Sequence, residues 1–475
     1  MNDLTIELRQ DDEKHLYEQI YEHIKQEIRK GKLLTGEKLP STRSLAEFLA
    51  VSRNTVEMAY GQLLSEGYIE SRPYKGYFVC EIDDIFALEG ERGKNAKVAP
   101  WNVRVKKEAE EPGFLLDFSP HAIDMTAFPF STWKKITKNI LVDANSEMFA
   151  SGSPKGDRKL REIISLYLYS SRGVNCMPEQ IIVGAGNDYL LMLLEKILGR
   201  HVKIAMENPT YKRAYRIFDS FAYQISPVEL DVSGMSVEAL KKSGADVAYV
   251  MPSHQYPTGI IMPIGRRMEL LKWAEEKEER YLIEDDDDSE FRFKGKPVPS
   301  LQASDWAGKV IYIGTFSKAI APAIRISYMV LPIPLLETYE KKCSFYSTTV
   351  SRIDQRILGE FIEKGHFERH LNKMRKIYRE KHDLLLNELK DMEEIFQVSG
   401  EGAGLHILLD DKKGRKEKEL LEVAAAAGVK AYGLSEAYIG EAVPGRKENM
   451  VILGYAALSK EQIYEGAQML KKVWK

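Results

Sequence analysis

The stretch Lys309-Val310-Ile311-Tyr312-Ile313-Gly314-Thr315-Phe316-Ser317-Lys318 decides how this chain is read. Its first residues are β-branched and aromatic and predict a buried strand. A strand that ends in Thr315-Phe316-Ser317-Lys318 delivers two hydroxyls and an amine to its carboxyl end, where open α/β sheets bind ligands. A partly desolvated lysine there has a lowered pKa and attacks carbonyl groups to form a Schiff base. Arg325, seven residues further on, is within loop reach of a phosphate held by Thr315 and Ser317, as a fork-shaped donor. The same residues also suit a solvated loop lysine beside a structural arginine.

Outward from that stretch, strand and helix signals alternate from about Phe114 to the end, which predicts an α/β fold with a mostly parallel sheet and a small C-terminal subdomain. Ile181-Ile182-Val183 reads as a strand entering Gly184-Ala185-Gly186-Asn187-Asp188, after which a helix begins. Small residues at a helix N-terminus leave backbone N–H groups open to an anion, although glycine also serves plain turns. Val247–Val250 is a strand leading to Pro252-Ser253-His254-Gln255-Tyr256-Pro257-Thr258-Gly259, in which His254 reads as a structural hydrogen-bonder. Tyr281-Leu282-Ile283-Glu284 enters Asp285-Asp286-Asp287-Asp288. Such a carboxylate run suits a solvated turn or a divalent-metal loop, but it lacks the spaced oxygens of an EF-hand, and no metal site is assigned. A helix over Phe367–Leu389, rich in Lys and Arg, reads as a solvated connection into the C-terminal subdomain.

The first eighty residues differ in kind. Leu16, Ile20, Ile24 and Ile28 form one stripe at helical spacing. Ser41 and Ser52 each stand as N-caps before short helices, the second running to about Ser65. Tyr68-Ile69-Glu70 and Gly76-Tyr77-Phe78-Val79 flank the turn Arg72-Pro73-Tyr74-Lys75. Helix, helix-turn-helix and a two-stranded wing make a winged helix-turn-helix. The start of a recognition helix reaches base edges, which assigns Ser52, Arg53, Asn54 and Thr55 to DNA, with Arg53 suited to guanine and Asn54 to adenine. Ser41, Thr42 and Arg43 are assigned to phosphate and Lys75 to the backbone or minor groove. A helical interaction domain with solvated polar residues is the plainer alternative.

The chain has 475 residues, more than a single core accommodates, with net charge −3 and 44% hydrophobic residues. That balance argues neither for nor against nucleic acid. Three cysteines, widely spaced, suit a reducing cytosol without disulfides. The N-terminus lacks the basic and apolar regions of a signal peptide, and no apolar run is long enough to span a bilayer. The expectation is a cytoplasmic protein that does not engage membranes. Residues 81–112 lose apolar periodicity and gain charge, and so read as a tether between a DNA-binding domain at 12–80 and a large domain at 113–475.

Two resemblances add to these readings. Pro40-Ser41-Thr42-Arg43-Ser44-Leu45-Ala46, Val51-Ser52-Arg53-Asn54-Thr55-Val56, Ala59-Tyr60 and Glu66-Gly67-Tyr68 resemble the GntR-type DNA-binding domain. Thr315-Phe316-Ser317-Lys318 with Arg325 resembles the pyridoxal phosphate (PLP) segment of fold-type I aminotransferases. That likeness implies PLP held as a Schiff base to Lys318, its phosphate met by Thr315, Ser317, Arg325 and the Ala185-Gly186-Asn187 loop. It further implies Tyr211 stacked on the ring, Asp285 on the pyridinium nitrogen, and Arg213 near an effector carboxylate. Two positions depart from the enzymes: Tyr256 stands where they have asparagine, and Asp287 where they have tyrosine, both partners of the phenolic oxygen. Glu436 lies where GABA-responsive relatives carry an arginine, which points to an effector that need not be GABA and that presents a cation. The fusion as a whole resembles the MocR/GabR regulators. The resemblance implies a head-to-tail homodimer on an operator of double-stranded DNA, sensing an amine or amino acid by exchange at Lys318. An active aminotransferase with an appended DNA-binding domain, or a regulator with a vestigial PLP domain, are the alternatives.

Overall fold

The computed structural model describes residues 14–81, 113–293, 298–440 and 445–475, together with Ile6, Leu8 and Arg9. The expected tether lies outside the described residues from position 82 onward, as do residues 12 and 13 of the expected first domain. The chain divides into two compact units between residues 111 and 112.

In the first unit, α1 (Leu16–Arg29) buries Ile20, Ile24 and Ile28 against α3 (Arg53–Ser65), which contributes Val56, Ala59, Tyr60 and Leu63. Between them, α2 (Thr42–Phe48) is capped by Ser41, whose Oγ accepts the Ser44 N–H at 3.1 Å. Ser52 caps α3 in the same way, accepting from the Thr55 N–H at 3.1 Å. Each cap satisfies one of the donors that a helix start leaves open. The buried Tyr60 hydroxyl donates to the Pro40 carbonyl at 3.0 Å and so fixes α3 beneath the entry to α2. β1 (Ile69–Arg72) and β2 (Gly76–Val79) pair antiparallel, with Ile69 opposite Val79, and form the wing.

The second unit is built on an eight-stranded sheet. Its strands are β4 (Ile181–Gly184), β5 (Lys203–Asn208), β6 (Gln224–Asp231), β7 (Gly234–Met235), β8 (Val247–Val250), β9 (Tyr281–Asp286), β10 (Val310–Thr315) and β11 (Ser327–Val330). A two-residue strand, β3 (Leu116–Asp117), precedes them in the chain. The spatial order is β4-β11-β10-β9-β8-β5-β6-β7. The central pairs β10/β9, β9/β8, β8/β5 and β5/β6 are parallel, whereas β11 runs antiparallel to both β10 and β4. β4, β8, β10 and β11 are buried along their whole length, as expected for strands covered by helices on both faces. The C-terminal subdomain carries a four-stranded antiparallel sheet of β12 (Phe396–Ser399), β13 (His406–Asp411), β15 (Tyr432–Gly433) and β16 (Met450–Gly454). β14 (Val429–Lys430) pairs with β3.

The helix expected over Phe367–Leu389 spans His366–Leu389 and is not simply solvated. Phe367, Leu371, Met374, Tyr378, Leu385 and Leu389 bury one face in the largest core. Lys381 is buried with them, donating to Asp124 at 2.7 Å and to the Ala456 carbonyl at 2.8 Å. A Lys-rich composition hid an apolar stripe at helical spacing. Among the described residues, no helix is long and apolar enough to cross a membrane.

Candidate functional site

The parallel strands deliver their carboxyl ends to one side of the sheet, and a cavity of about 780 Å³ opens there. Lys318, Thr315, Ser317, Arg325, Gly186, Asn187, Tyr211, Arg213, Tyr256, Asp287 and Glu436 all line it. Residues far apart in sequence are thus brought together by β5, β8, β9 and β10 ending side by side.

Lys318 follows β10 and reaches Asp287, just past β9, with Nζ 2.5 Å from Oδ2. Burial opposes the lysine's charge, but Asp287 and Asp288 outweigh it and hold the lysine's pKa well above the ordinary range. The lowered pKa expected of a desolvated lysine is therefore reversed by its neighbours. Behind this pair, Asp285 is 3% exposed and accepts from the Tyr249 hydroxyl and, at 3.3 Å, from Asn187 Nδ2. Burial, then Asp287, push its carboxyl up to about 7.

The four aspartates are not a solvated turn, since Asp285, Asp286 and Asp288 are buried. Asp286 pairs with Arg172 at 2.8 Å, and Asp288 accepts from His254 Nδ1 at 2.9 Å. β9 itself runs through Asp285 and Asp286, so alternation sends successive carboxylates to opposite faces. No cluster of His, Cys, Asp and Glu suited to a metal occurs among the described residues.

The loop before the helix Asn187–Leu198 departs from the expected open cradle. The Ala185 N–H donates to Thr349 Oγ1 at 3.1 Å and the Gly186 N–H to the Gly184 carbonyl at 2.8 Å, so both are engaged within the protein. Gly186 matters for its lack of a side chain: its φ is +88°, and a Cβ there would stand 2.4 Å from the Arg325 guanidinium. Arg325, itself in the left-handed region at φ 51°, donates to Asp188 at 3.1 Å. Arg213 meets the same carboxylate at 2.5 Å. Asp188 thus holds both cations at the cavity's edge. Thr315 Oγ1 accepts from Ser327 Oγ at 2.9 Å and from the Ser317 N–H at 3.1 Å.

Tyr211 and Tyr256 meet edge to face with centroids 6.0 Å apart, and His121 lies against both. His121 is exposed at the cavity, with Nε2 3.2 Å from the Tyr256 hydroxyl, and the protein packed around its ring, then Lys318, lower its pKa to about 4. Glu436 sits on the turn Leu434–Ala437 and is exposed to the cavity. His121, Tyr249 and Asp188 were missed in the sequence. Asp188 adjoins the assigned loop, but nothing local marks the other two.

Glu207, at the end of β5, is fully buried, and its Oε2 accepts from the Met251 N–H at 3.1 Å. Burial pushes its pKa up to about 8. A carboxyl raised in the folded state contributes stability that is fully present below the unfolded value and lost as pH rises toward 8. Glu207→Gln is expected to remove that loss. The variant should gain on the order of 2–4 kcal/mol near pH 7 and little at pH 4.5, read from denaturation midpoints across that range.

In the first unit, Arg43, Ser52, Arg53, Asn54 and Lys75 are exposed, and Thr55 is half-buried. Arg53 and Arg43 lie along their helices against Glu57 and Glu47, at 2.8 and 3.1 Å. Ser41 and Ser52 accept the cap bonds through an oxygen lone pair. Thr42 departs from the expectation: the residue is 7% exposed, which leaves little of it to reach a phosphate.

Comparison with known proteins separates the same two parts. Residues 16–79 match the family described as bacterial regulatory proteins, gntR family, and residues 124–468 match aminotransferase class I and II. The chain is 42% identical over 461 residues to the HTH-type transcriptional regulator YdeL of Bacillus subtilis, covering 97% of each. It is 31% identical to the probable rhizopine catabolism regulatory protein MocR of Rhizobium meliloti, covering 97% of this chain and 94% of that one. Among solved structures, the multiple substrate aminotransferase of Thermococcus profundus superposes with a TM-score of 0.68 at 26% identity, over 77% of this chain and 92% of its own. A helix-turn-helix unit joined to an aminotransferase-like unit, and likeness to these regulators over nearly the whole length, place the chain in the MocR-type family of HTH transcriptional regulators.

Proposed function

We propose that this regulator holds PLP on Lys318 and senses a small amine or amino acid in the same cavity, rather than turning substrate over. The observation that carries the reading is Lys318 at the carboxyl end of β10, in a cavity shared with Arg325, Tyr211 and Glu436. The residues present fit the cofactor. Gly186 leaves room that a Cβ would take, Asn187 Oδ1 is buried without a hydrogen-bond partner, and Asp285 stands behind Asn187 as a buried acid. When bound, PLP supplies an aldehyde carbon that joins one primary amine at a time, from Lys318 or from an effector.

The chain's own residues set what such an effector meets. Tyr211 and Tyr256 offer aromatic faces, Arg213 a cation for a carboxylate, and Glu436 an anion for a second ammonium. Arg325, with Thr315 and Ser317, supplies donors for a phosphate. The two states that differ in effector occupancy must differ in affinity for DNA if the signal is to pass. A homodimer, head to tail, would let two winged helices read paired half-sites.

Aminotransferase turnover is the second reading, favoured by the fold of the large unit. Asp287 and Tyr256, in place of the enzymes' donors to the phenolic oxygen, weigh against it.

Mobility shifts of the full chain on duplex from its own upstream region, with and without candidate amines, test the proposal. An amine-dependent change in affinity supports it. Multiple turnovers of an amino donor with an oxoacid would overturn it in favour of an enzyme. On the same duplex, Arg53→Ala and Asn54→Ala should each weaken specific binding by about 1–3 kcal/mol and leave binding to unrelated DNA nearly unchanged. Equal losses on both duplexes would assign these residues to the phosphate backbone instead.

A further inference from the structure

A second cavity, of about 840 Å³, opens on the large unit and shares no lining residue with the lysine cavity. The helices Arg158–Arg172 and His366–Leu389 give it apolar sides through Ile163, Leu166, Phe367 and Leu371. Leu166 is 71% exposed. A third wall is the segment that follows β9. Phe291 is fully buried there, while its neighbours Glu290 and Arg292 both line the cavity.

The charges on these walls are unevenly matched. Glu363 pairs with Lys159 at 2.5 Å, Glu162 with Arg158 at 2.9 Å, and Arg172 with Asp286 at 2.8 Å. Glu290 accepts from the Tyr167 hydroxyl at 3.0 Å, and the protein packed around it, then Asp286, raise its pKa, which blunts its repulsion of an anion. Two arginines remain. Arg375 donates to the Glu290 carbonyl at 2.7 Å and to Asn372 Oδ1 at 2.8 Å, and neither acceptor is an anion. Arg292 is half-buried, and its enclosed Nε has no hydrogen-bond partner among the described residues. The remaining carboxylate on the walls, Glu368, belongs to an exposed residue.

An enclosed donor without an acceptor costs free energy that a bound acceptor recovers. A guanidinium meets a carboxylate with two parallel hydrogen bonds, so a carboxylate is the acceptor that suits it. The apolar walls call for more than an ion: they suit a hydrocarbon body attached to it.

We propose that this cavity is a ligand site distinct from the lysine cavity, taking a small carboxylic acid with an apolar or aromatic body. The carboxylate lies on Arg292 and Arg375, and the body lies against Leu166, Phe367 and Leu371. Arg172 lines the cavity and also holds Asp286, so the ligand sits one side chain away from β9. The proposal is independent of what Lys318 holds.

The test is calorimetric titration of the full-length protein with 3-phenylpropionate and with its uncharged counterpart, 3-phenylpropionamide. The acid should bind saturably, and the amide at least about tenfold more weakly. Arg292→Gln should weaken the acid by a similar factor. Leu166→Glu changes an exposed position, sets a like charge beside the ligand, and should weaken it too. Absence of saturable binding overturns the proposal, as does equal binding of acid and amide. Binding that survives intact in both variants overturns it as well. Loss of the acid in Arg213→Gln, with Leu166→Glu unaffected, would place it in the lysine cavity and overturn the proposal in that way.

Discussion

Lys318→Ala is expected to abolish borohydride-stable capture of PLP and, with it, any amine-dependent change in DNA affinity. The expectation is all-or-none because, among the described residues, the other lysine that lines the cavity is Lys212, and it is turned to the Tyr438 carbonyl. Thr315, Ser317 and Arg325 remain in the variant, so PLP should still bind through its phosphate, more weakly and removable by dialysis. Specific binding to DNA should persist, since the winged helix is a separate compact unit. A second effect follows from electrostatics. Without the ammonium, Asp287 is left unpaired beside Asp285 in a poorly solvated pocket, and the large unit should lose about 2 kcal/mol at neutral pH. Lys318→Arg restores the charge but not the nucleophile, and so should recover stability without recovering capture. Visible spectra before and after borohydride, set beside denaturation curves of the three proteins, read both effects. Amine responses undiminished in Lys318→Ala would show that the effector acts elsewhere.

How far the sequence reached depended on whether a feature was local. The winged helix-turn-helix was legible because its signals are short-range: an isoleucine stripe, two serine caps, and a turn between two strands. The sheet was legible where its strands are runs of Val, Ile and Tyr bounded by glycine, and the cavity wall was legible where a strand ends in chemically distinctive residues. Partners brought in from a distance were not. Arg172 and Asp286 are 114 positions apart, and the turn Leu434–Ala437 bearing Glu436 comes from the far end of the chain. His121 follows a proline with nothing near it to suggest a ligand. The aspartate run was ambiguous on its own, and only the family resemblance singled out Asp285. Consecutive carboxylates resemble a solvated turn unless it is known that a strand continues through them and that Arg172, Tyr312, Tyr249, His254 and Lys318 wait on its two faces. Thr42 departs for the converse reason: a helix's first residue is usually exposed, but here it is buried.

The buried pair beneath the cavity should be the costliest to break. Arg172 closes the helix Arg158–Arg172, and its guanidinium donates to Asp286 Oδ2 at 2.8 Å, to Ser253 Oγ at 2.5 Å and to the Val298 carbonyl. Asp286 also accepts from the Tyr312 hydroxyl at 2.6 Å, and the two charged side chains are 5% and 3% exposed. Arg172→Ala removes one charge and leaves Asp286 buried opposite a void, with donors withdrawn from two further segments. A loss of about 3–5 kcal/mol is expected in the large unit, seen as a lower urea midpoint. Arg172→Lys keeps the charge but presents a point donor in place of a planar fork, and should fall between the two. Because Asp286 lies on β9 between Asp285 and the carboxylate that pairs with Lys318, PLP affinity should fall with stability. The double substitution Arg172→Met, Asp286→Leu separates the pair from its broken halves. It removes both charges, and should be less destabilised than Arg172→Ala although more residues are changed. If the double variant is the sum of the two single ones, the ion pair is not what holds β9 in register under the site.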